Sequence, residues 1–301
     1  FMIKIKTVIA AGGLGTRLQG FRGNDSTKIL LEVDGSPMII RQIEQLTNWG
    51  LNEFIIITNP SFDKLIRDVI GSYFPDKDIN FTIQHEQKGI SHALMCAKEY
   101  IYSGDTVFFV LGDNFFENNP AESINIENLS KNKGSYIFSH KVENPEEFGV
   151  AELDSNNNVI SIEEKPENPK SNFAITGLYF YDNNVVEMAK KVRISDRGEF
   201  EITTLNQMYL DNGNLEIELL GRGFAWLDTG THKSLLEASM FIETLEKRQG
   251  FKIACLEEIS WRKGWISNEK IKSIANSLNG SSSSYGKYLN KTNTILIDDS
   301  D

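Results

Sequence analysis

Cysteine, histidine and long apolar runs are scarce in this chain of 301 residues, and each scarcity removes a class of function. The two cysteines, Cys96 and Cys255, stand in no CxxC or Cys/His array. Neither a zinc site nor a disulfide framework is available, and both read as small core residues in a reducing compartment. Only four histidines occur, and no Ser/His/Asp constellation is visible. No apolar run approaches the roughly 18 residues that cross a bilayer. The segment Phe1-Met2-Ile3-Lys4-Ile5-Lys6 alternates charge and leads into a strand, with no apolar h-region and small-residue cleavage site. A cytoplasmic chain with no membrane partner is the expectation. Basic residues are outnumbered, 31 Lys+Arg against 42 Asp+Glu, for a net charge of −11. That balance argues against a nucleic-acid polymer as partner, because phosphate backbones are held by clustered positive charge. Low complexity is confined to Asn279-Gly280-Ser281-Ser282-Ser283-Ser284, and there is no internal repeat.

What is present is a folded α/β chain. Thr7-Val8-Ile9-Ala10-Ala11, Phe54-Ile55-Ile56-Ile57-Thr58 and Val107-Phe108-Phe109-Val110-Leu111 are continuous apolar runs bounded by Gly, Asn or Asp, as parallel strands buried on both faces require. Between the first two, Ile39, Ile40, Ile43 and Leu46 form a helical stripe, with Ser36 as cap, Pro37 in the first turn and Gly50 beyond the end. Further helices are predicted over 61–73 and 91–100, and this alternation predicts a three-layer αβα sheet with right-handed crossovers. Shorter strands follow over 136–142, 149–153 and 159–163, forming a sheet extension. The segment 183–210 reads as mainly helical, 215–220 as a strand, and 231–248 as a helix with Leu235, Leu236, Ala238, Phe241, Ile242 and Leu245 at helical spacing.

Directly after the first strand stands Ala11-Gly12-Gly13-Leu14-Gly15-Thr16-Arg17-Leu18. Glycines let backbone N–H groups approach an anion, and Arg17 supplies a planar fork for phosphate oxygens. The run fits neither GxGxxG nor the GxxxxGK[ST] P-loop. Lys28 follows eleven residues after Arg17, ahead of an apolar strand. Asp113, in Leu111-Gly112-Asp113-Asn114, ends the third strand at the carboxyl edge where open α/β sheets bind ligands. Asp228 lies in Trp226-Leu227-Asp228-Thr229-Gly230, and two carboxylates from separate strands are a common way to hold Mg²⁺ against phosphates.

The glycine-rich run, Lys28 and the motifs Gln84 with Gly89, Phe148-Gly149-Val150, Glu163-Glu164-Lys165-Pro166, Thr176-Gly177-Leu178, Arg197-Gly198-Glu199-Phe200-Glu201-Ile202-Thr203 and Gly221 to Thr231 occur in order along the chain. Together they resemble the sugar nucleotidyltransferases, and among them the thymidylyltransferases that act on glucose 1-phosphate. The resemblance runs from about residue 6 to residue 289. It implies a Rossmann-like mixed sheet of the nucleotidyltransferase type, an inserted sugar-binding β region and a helical C-terminal part. It divides the chain into a core over 1–240, with a nucleotide half to about 115 and a sugar-phosphate half beyond it, and a helical segment over 241–301 for subunit contact or regulation.

Residue by residue, the resemblance implies that Gly12, Gly13, Gly15, Thr16, Arg17 and Lys28 bind the triphosphate, and that Gln84 and Gly89 read a pyrimidine base. Asn114, Gly149, Glu164 and Ile175 would line the sugar, Lys165 and Arg197 would hold its phosphate, and Asp113 and Asp228 would hold Mg²⁺. The implied reaction is attack by hexose 1-phosphate on the α-phosphorus of dTTP, in a homo-oligomer, typically a tetramer. Trp226 reads as a core aromatic and stays outside this set. Departures fall on the nucleotide side: residues 19–27 differ from the usual loop, Ile29 replaces a usual Gln, and Gln84-His85-Glu86-Gln87-Lys88-Gly89-Ile90-Ser91-His92-Ala93 replaces a Gln-Pro-x-x-x-Gly-Leu-Ala pattern. UTP or CTP use therefore stands as an alternative, and a non-catalytic nucleotide-sugar sensor as one of another class.

Overall fold

A computed structural model describes residues 4–13, 27–33, 36–117, 119, 134–221, 223–250, 252, 255–262, 264, 266–277 and 284–295. The expected phosphate-loop residues Gly15, Thr16 and Arg17, and the low-complexity stretch 279–283, lie outside them. The described residues divide into two compact units, 1–235 and 236–301.

In the first unit the strands are β1 (Lys4–Ala10), β2 (Glu32–Val33), β3 (Ser36–Pro37), β4 (Phe54–Thr58), β5 (Ile79–Ile83), β6 (Asp105–Leu111), β7 (Asn114–Glu117), β8 (Ser135–Lys141), β9 (Gly149–Leu153), β10 (Val159–Glu164), β11 (Phe173–Asp182), β12 (Leu215–Leu220) and β13 (Ala225–Asp228). The helices are α1 (Met38–Asn48), α2 (Asp63–Tyr73), α3 (Ile90–Cys96), α4 (Val185–Ala189), α5 (Ile202–Asp211) and the start of α6 (His232–Gln249).

The main sheet runs β10-β9-β11-β6-β1-β4-β5, with β8 on β11 and β12 on β8. β5, β4, β1 and β6 are mutually parallel, as the unbroken apolar runs of β4, β1 and β6 require, with the alternating β5 at the edge, and β11, β9 and β10 join antiparallel. The sheet is mixed, as expected. β1 has β4 on one side and β6 on the other, so the strand order reverses there and the ends of β1 and β6 open the crevice where such sheets bind ligands.

The odd and even positions of the strands feed two cores. Val8, Ile55, Ile57, Val107 and Phe109 pack with Ala93 and Leu94 of α3, Val185 of α4, and Leu205 and Tyr209 of α5. On the opposite face, Phe108 meets Trp49 edge-on at 6.4 Å and Phe180 at 4.3 Å, beneath α1. The three-layer arrangement follows.

Helix α1 buries Ile39, Ile40, Ile43 and Leu46, the stripe its spacing predicts. Its start differs. Ser36 and Pro37 form β3 against β2, the helix opens at Met38, and no side chain caps it. The segment 183–210 also differs, since helix gives way after Ala189 and resumes only at Ile202. Gly198 at φ +78° and the bonds Ser195 N to Glu199 O and Gly198 N to Ser195 O fold the intervening residues into a turn.

The second unit contains the remainder of α6, then α7 (Leu256–Arg262), α8 (Asn268–Ser277) and α9 (Ser284–Ile295). Cys255, Ile271, Ala275 and Leu289 form its buried centre. The Tyr285 hydroxyl joins Cys255 Sγ at 3.2 Å and donates to Glu257. Burial pushes the Cys255 thiol up to about 12. No helix of the described residues is long and apolar enough to cross a membrane.

Candidate active site

At the carboxyl edge of β1, Gly12 lies where a Cβ would come within 3.0 Å of Gln84 Oε1 and 3.1 Å of the Thr58 carbonyl, so the close approach of the loop to β4 and Gln84 favours glycine. Asn59 donates to the Gly12 carbonyl at 3.1 Å and fixes the start of the loop. Gly13, by contrast, faces open space. Beyond it the loop leaves the described residues.

Lys28 begins a single 3₁₀ turn, Lys28–Leu30, and its ammonium is paired with the carboxylate of Asp113. The two residues, 85 apart in sequence, meet at the switch point. Burial alone would raise the Asp113 carboxyl, but the Lys28 charge, its hydrogen bond and that of Asn114 hold it below the usual aspartate range. Ile29 is buried, packed toward Gly112, so the position that departs from the resembled pattern belongs to the core.

The backbone around Asp113 is anchored from three sides. Gln42 of α1 donates at 2.9 Å to both the Leu111 and Asn114 carbonyls. The Asp113 carbonyl accepts from the Thr229 hydroxyl at 2.8 Å and the Thr229 N–H at 3.1 Å. β7 and β13 pair antiparallel with Asp228 opposite Asn114, which brings Asp228 to the neighbourhood of Asp113. Gly230 stands where a Cβ would come within 2.9 Å of Asp228 Oδ2. Among the described residues no group of three or more His, Cys, Asp or Glu could hold a metal ion. Two hard carboxylates fit a cation that takes most of its ligands from substrate phosphates and water, which is the habit of Mg²⁺.

Asn114 is held by the protein through three hydrogen bonds. Its amide nitrogen donates to Asp113 at 2.9 Å, and its oxygen accepts from Trp226 Nε1 at 2.6 Å and the Gly177 N–H at 3.1 Å. Trp226, read from sequence as a core aromatic, is thus part of the site and packs on Phe148 at 5.1 Å. Its place two residues before Asp228 on one short strand is the signal that marks it.

The expected sugar-side residues also meet. Gly149 leaves room for Thr203, whose Cγ2 would lie 2.6 Å from a Cβ there, with Glu164 and Ile175 also within 4.0 Å. Glu164 accepts from Thr203 and from Arg197, each at 3.1 Å, and Arg197 also lies 3.4 Å from Glu201. Burial and the Glu201 charge raise the Glu164 carboxyl, against the pull of Thr203, Arg197 and Lys165. Lys165 adopts φ +43°, a conformation unusual for a side chain of its kind, with its N–H on the Phe148 carbonyl. The base-side residues meet as well, since the Gln84 amide donates to the Gly89 carbonyl at 3.1 Å.

Residues 6–245 match the nucleotidyl transferase family. The chain belongs to that family. The nucleotidyl transferase is 44% identical over 289 residues to a glucose-1-phosphate thymidylyltransferase of Neisseria meningitidis, covering 95% of this chain and 98% of that one. It is 41% identical to one from Xanthomonas campestris, covering 96% and 97%. A Bacillus anthracis structure with sucrose bound, provisionally designated a glucose-1-phosphate thymidylyltransferase, superposes with TM-score 0.69 at 33% identity, over 79% of this chain and 94% of that one. A UDP-glucose pyrophosphorylase complexed with UDP-glucose shares the fold, with TM-score 0.68 at 20% identity over 81% and 99%.

Proposed function

We propose that this nucleotidyl transferase joins dTTP and glucose 1-phosphate to give dTDP-glucose and pyrophosphate. The observation that carries the reading is the near full-length similarity to thymidylyltransferases, 44% over 95% of the chain. A phosphate oxygen of glucose 1-phosphate forms a bond to the α-phosphorus of dTTP while the bond to the β-phosphate oxygen breaks, and pyrophosphate carries away the electron pair. That nucleophile is ionised at neutral pH, so the residues are asked for positioning and charge rather than for a general base.

In this reading Lys28 and Arg17 face the triphosphate, with Gly12, Gly13, Gly15 and Thr16 shaping its loop. Gln84 and Gly89 take the base. Glu164, Gly149 and Ile175 surround the sugar, and Lys165 with Arg197 holds its phosphate. Asn114 also lines the sugar, its second amide N–H being left for that, while its bonds to Asp113, Trp226 and Gly177 position the carboxylate. Asp113 and Asp228 would hold Mg²⁺, which when bound supplies positive charge to the departing phosphates. The protein is further read as a cytoplasmic homotetramer whose segment 241–301 serves subunit contact or regulation.

Pyrophosphate release from dTTP with glucose 1-phosphate tests the reading. Turnover that falls about a hundredfold or more in Asp113→Asn and in Asp228→Asn is expected. A wild-type chain that releases none with this pair, or carboxamide variants that keep full turnover, would sink it.

A further inference from the structure

The hydrogen bonds of Gln84 fix more than its position. Its side-chain nitrogen lies 3.1 Å from the Gly89 carbonyl oxygen and 3.1 Å from Nδ1 of His92. A backbone carbonyl can only accept, so the atom beside it is the amide nitrogen, and its two N–H groups are divided between Gly89 and His92. Nδ1 of His92 is accordingly the accepting nitrogen, with the ring proton on Nε2.

With both hydrogens engaged, Oε1 of Gln84 turns to the other side, against Gly12. No donor among the described residues reaches that oxygen. The Gly89 N–H has no acceptor among them either, since Gly89 at φ +94° precedes the first turn of α3. His92 is itself held, its ring stacked on Phe200 at 6.1 Å and 24°.

We propose that His92 is a positioning residue that, together with the Gly89 carbonyl, holds the polarity of this pair, an acceptor at Gln84 Oε1 beside a donor at Gly89 N. That polarity suits a base offering N3–H and a C4 carbonyl, as thymine and uracil do. It opposes cytosine, whose N3 accepts and whose C4 amino group donates. The inference rests on the assignment of Gln84 and Gly89 to the base, and it selects against CTP among the nucleotides the sequence leaves open. Turning the Gln84 amide over would place a donor opposite N3–H; the Gly89 carbonyl opposes that turn by facing Oε1 with a second acceptor, and the His92 acceptor adds to it.

Calorimetric titration of the full chain with dTTP and with dCTP tests it, followed by the same measurement on two variants. His92→Leu, which loses the acceptor, is expected to weaken dTTP binding about tenfold and to shrink the preference over dCTP by a similar factor. In turnover the loss falls mainly on KM. His92→Asn, whose Oδ1 can stand where Nδ1 stands, is expected to restore most of both. An unchanged preference in His92→Leu, a His92→Asn as impaired as His92→Leu, or a wild-type chain that binds dCTP as tightly as dTTP overturns the proposal. Binding needs no sugar phosphate, so selective dTTP binding without pyrophosphate release would defeat the activity reading alone. Turnover of dTTP without discrimination against dCTP would defeat this one alone.

Discussion

Asn114 makes three hydrogen bonds within the protein, one amide N–H to Asp113 and its oxygen to both Trp226 and the Gly177 backbone. Such an amide holds a carboxylate in one rotamer, and outer partners of this kind tune metal affinity by about 10–100-fold. Trp226→Phe keeps the ring against Phe148 and removes only the N–H donor. The expected result is about a tenfold rise in the Mg²⁺ concentration for half-maximal pyrophosphate release, with the melting temperature changed little. Equal Mg²⁺ curves for variant and wild type would remove Trp226 from this role. Gly177 is constrained more tightly, because a Cβ there would come within 2.6 Å of Asn114 Oδ1 and 2.9 Å of Leu111 Cβ. Gly177→Ala is expected to cost about 1–3 kcal/mol of stability by overpacking, read from urea unfolding, and to lower turnover. The motif Thr176-Gly177-Leu178 was visible in the chain, but the reason for its glycine was not, since a clash with a side chain 63 residues away has no local signature.

Among the elements, α1 ties the fold to the site. Its apolar stripe was legible because burial follows the helical period, whereas Gln42 and Gln45, which bind the carbonyls of Leu111, Asn114 and Phe116, look on paper like ordinary polar positions. The turn between α4 and α5 was hidden for a related reason. Apolar and helix-forming residues flank it, and the turn is held by Gly198 at positive φ, by local bonds among Ser195, Glu199 and Glu201, and by the long-range pair of Arg197 with Glu164. The linker from α2 to β5 yields a prediction about pH. Lys77 contacts the Thr47 hydroxyl and lies over Phe54 at 4.8 Å and Phe74 at 5.5 Å, and burial pushes its ammonium down from 10.5 to about 8. The folded chain thus binds fewer protons than the unfolded one between these values, and this group's contribution to stability rises with pH across that window and is lost as pH falls through about 8. Urea unfolding from pH 7.5 to 9.5 is expected to show a slope that Lys77→Met flattens; an identical slope in the variant would refute the assignment.

Across the whole molecule, the net charge of −11 argues against a nucleic-acid polymer as partner, yet the proposed function asks Lys28 to meet the triphosphate and Lys165 with Arg197 to meet the sugar phosphate. Local placement decides what an acidic protein binds. Each compact unit also carries one free cysteine, Cys96 in the larger and Cys255 in the smaller. The smaller unit has far less chain from which to build a core, and so less stability is expected of it. Thiol labelling along a urea gradient is expected to modify the buried Cys255 at lower denaturant than the main unfolding transition followed by circular dichroism, and a single shared midpoint would overturn this.

Gly89 meets the chain at Phe200 so closely that a Cβ would lie 2.8 Å from the Phe200 carbonyl oxygen, and Ser91 bonds to the backbone of both Phe200 and Glu201. The turn assigned to the base is therefore fastened to the strand of residues that holds Glu201, and through it Arg197. We expect that through these contacts the two substrates help each other bind, and a coupling factor of one would overturn this. Thermodynamic reciprocity then sets a strict check: glucose 1-phosphate must tighten dTTP by the same factor as dTTP tightens glucose 1-phosphate, measured without Mg²⁺ so that no turnover intervenes.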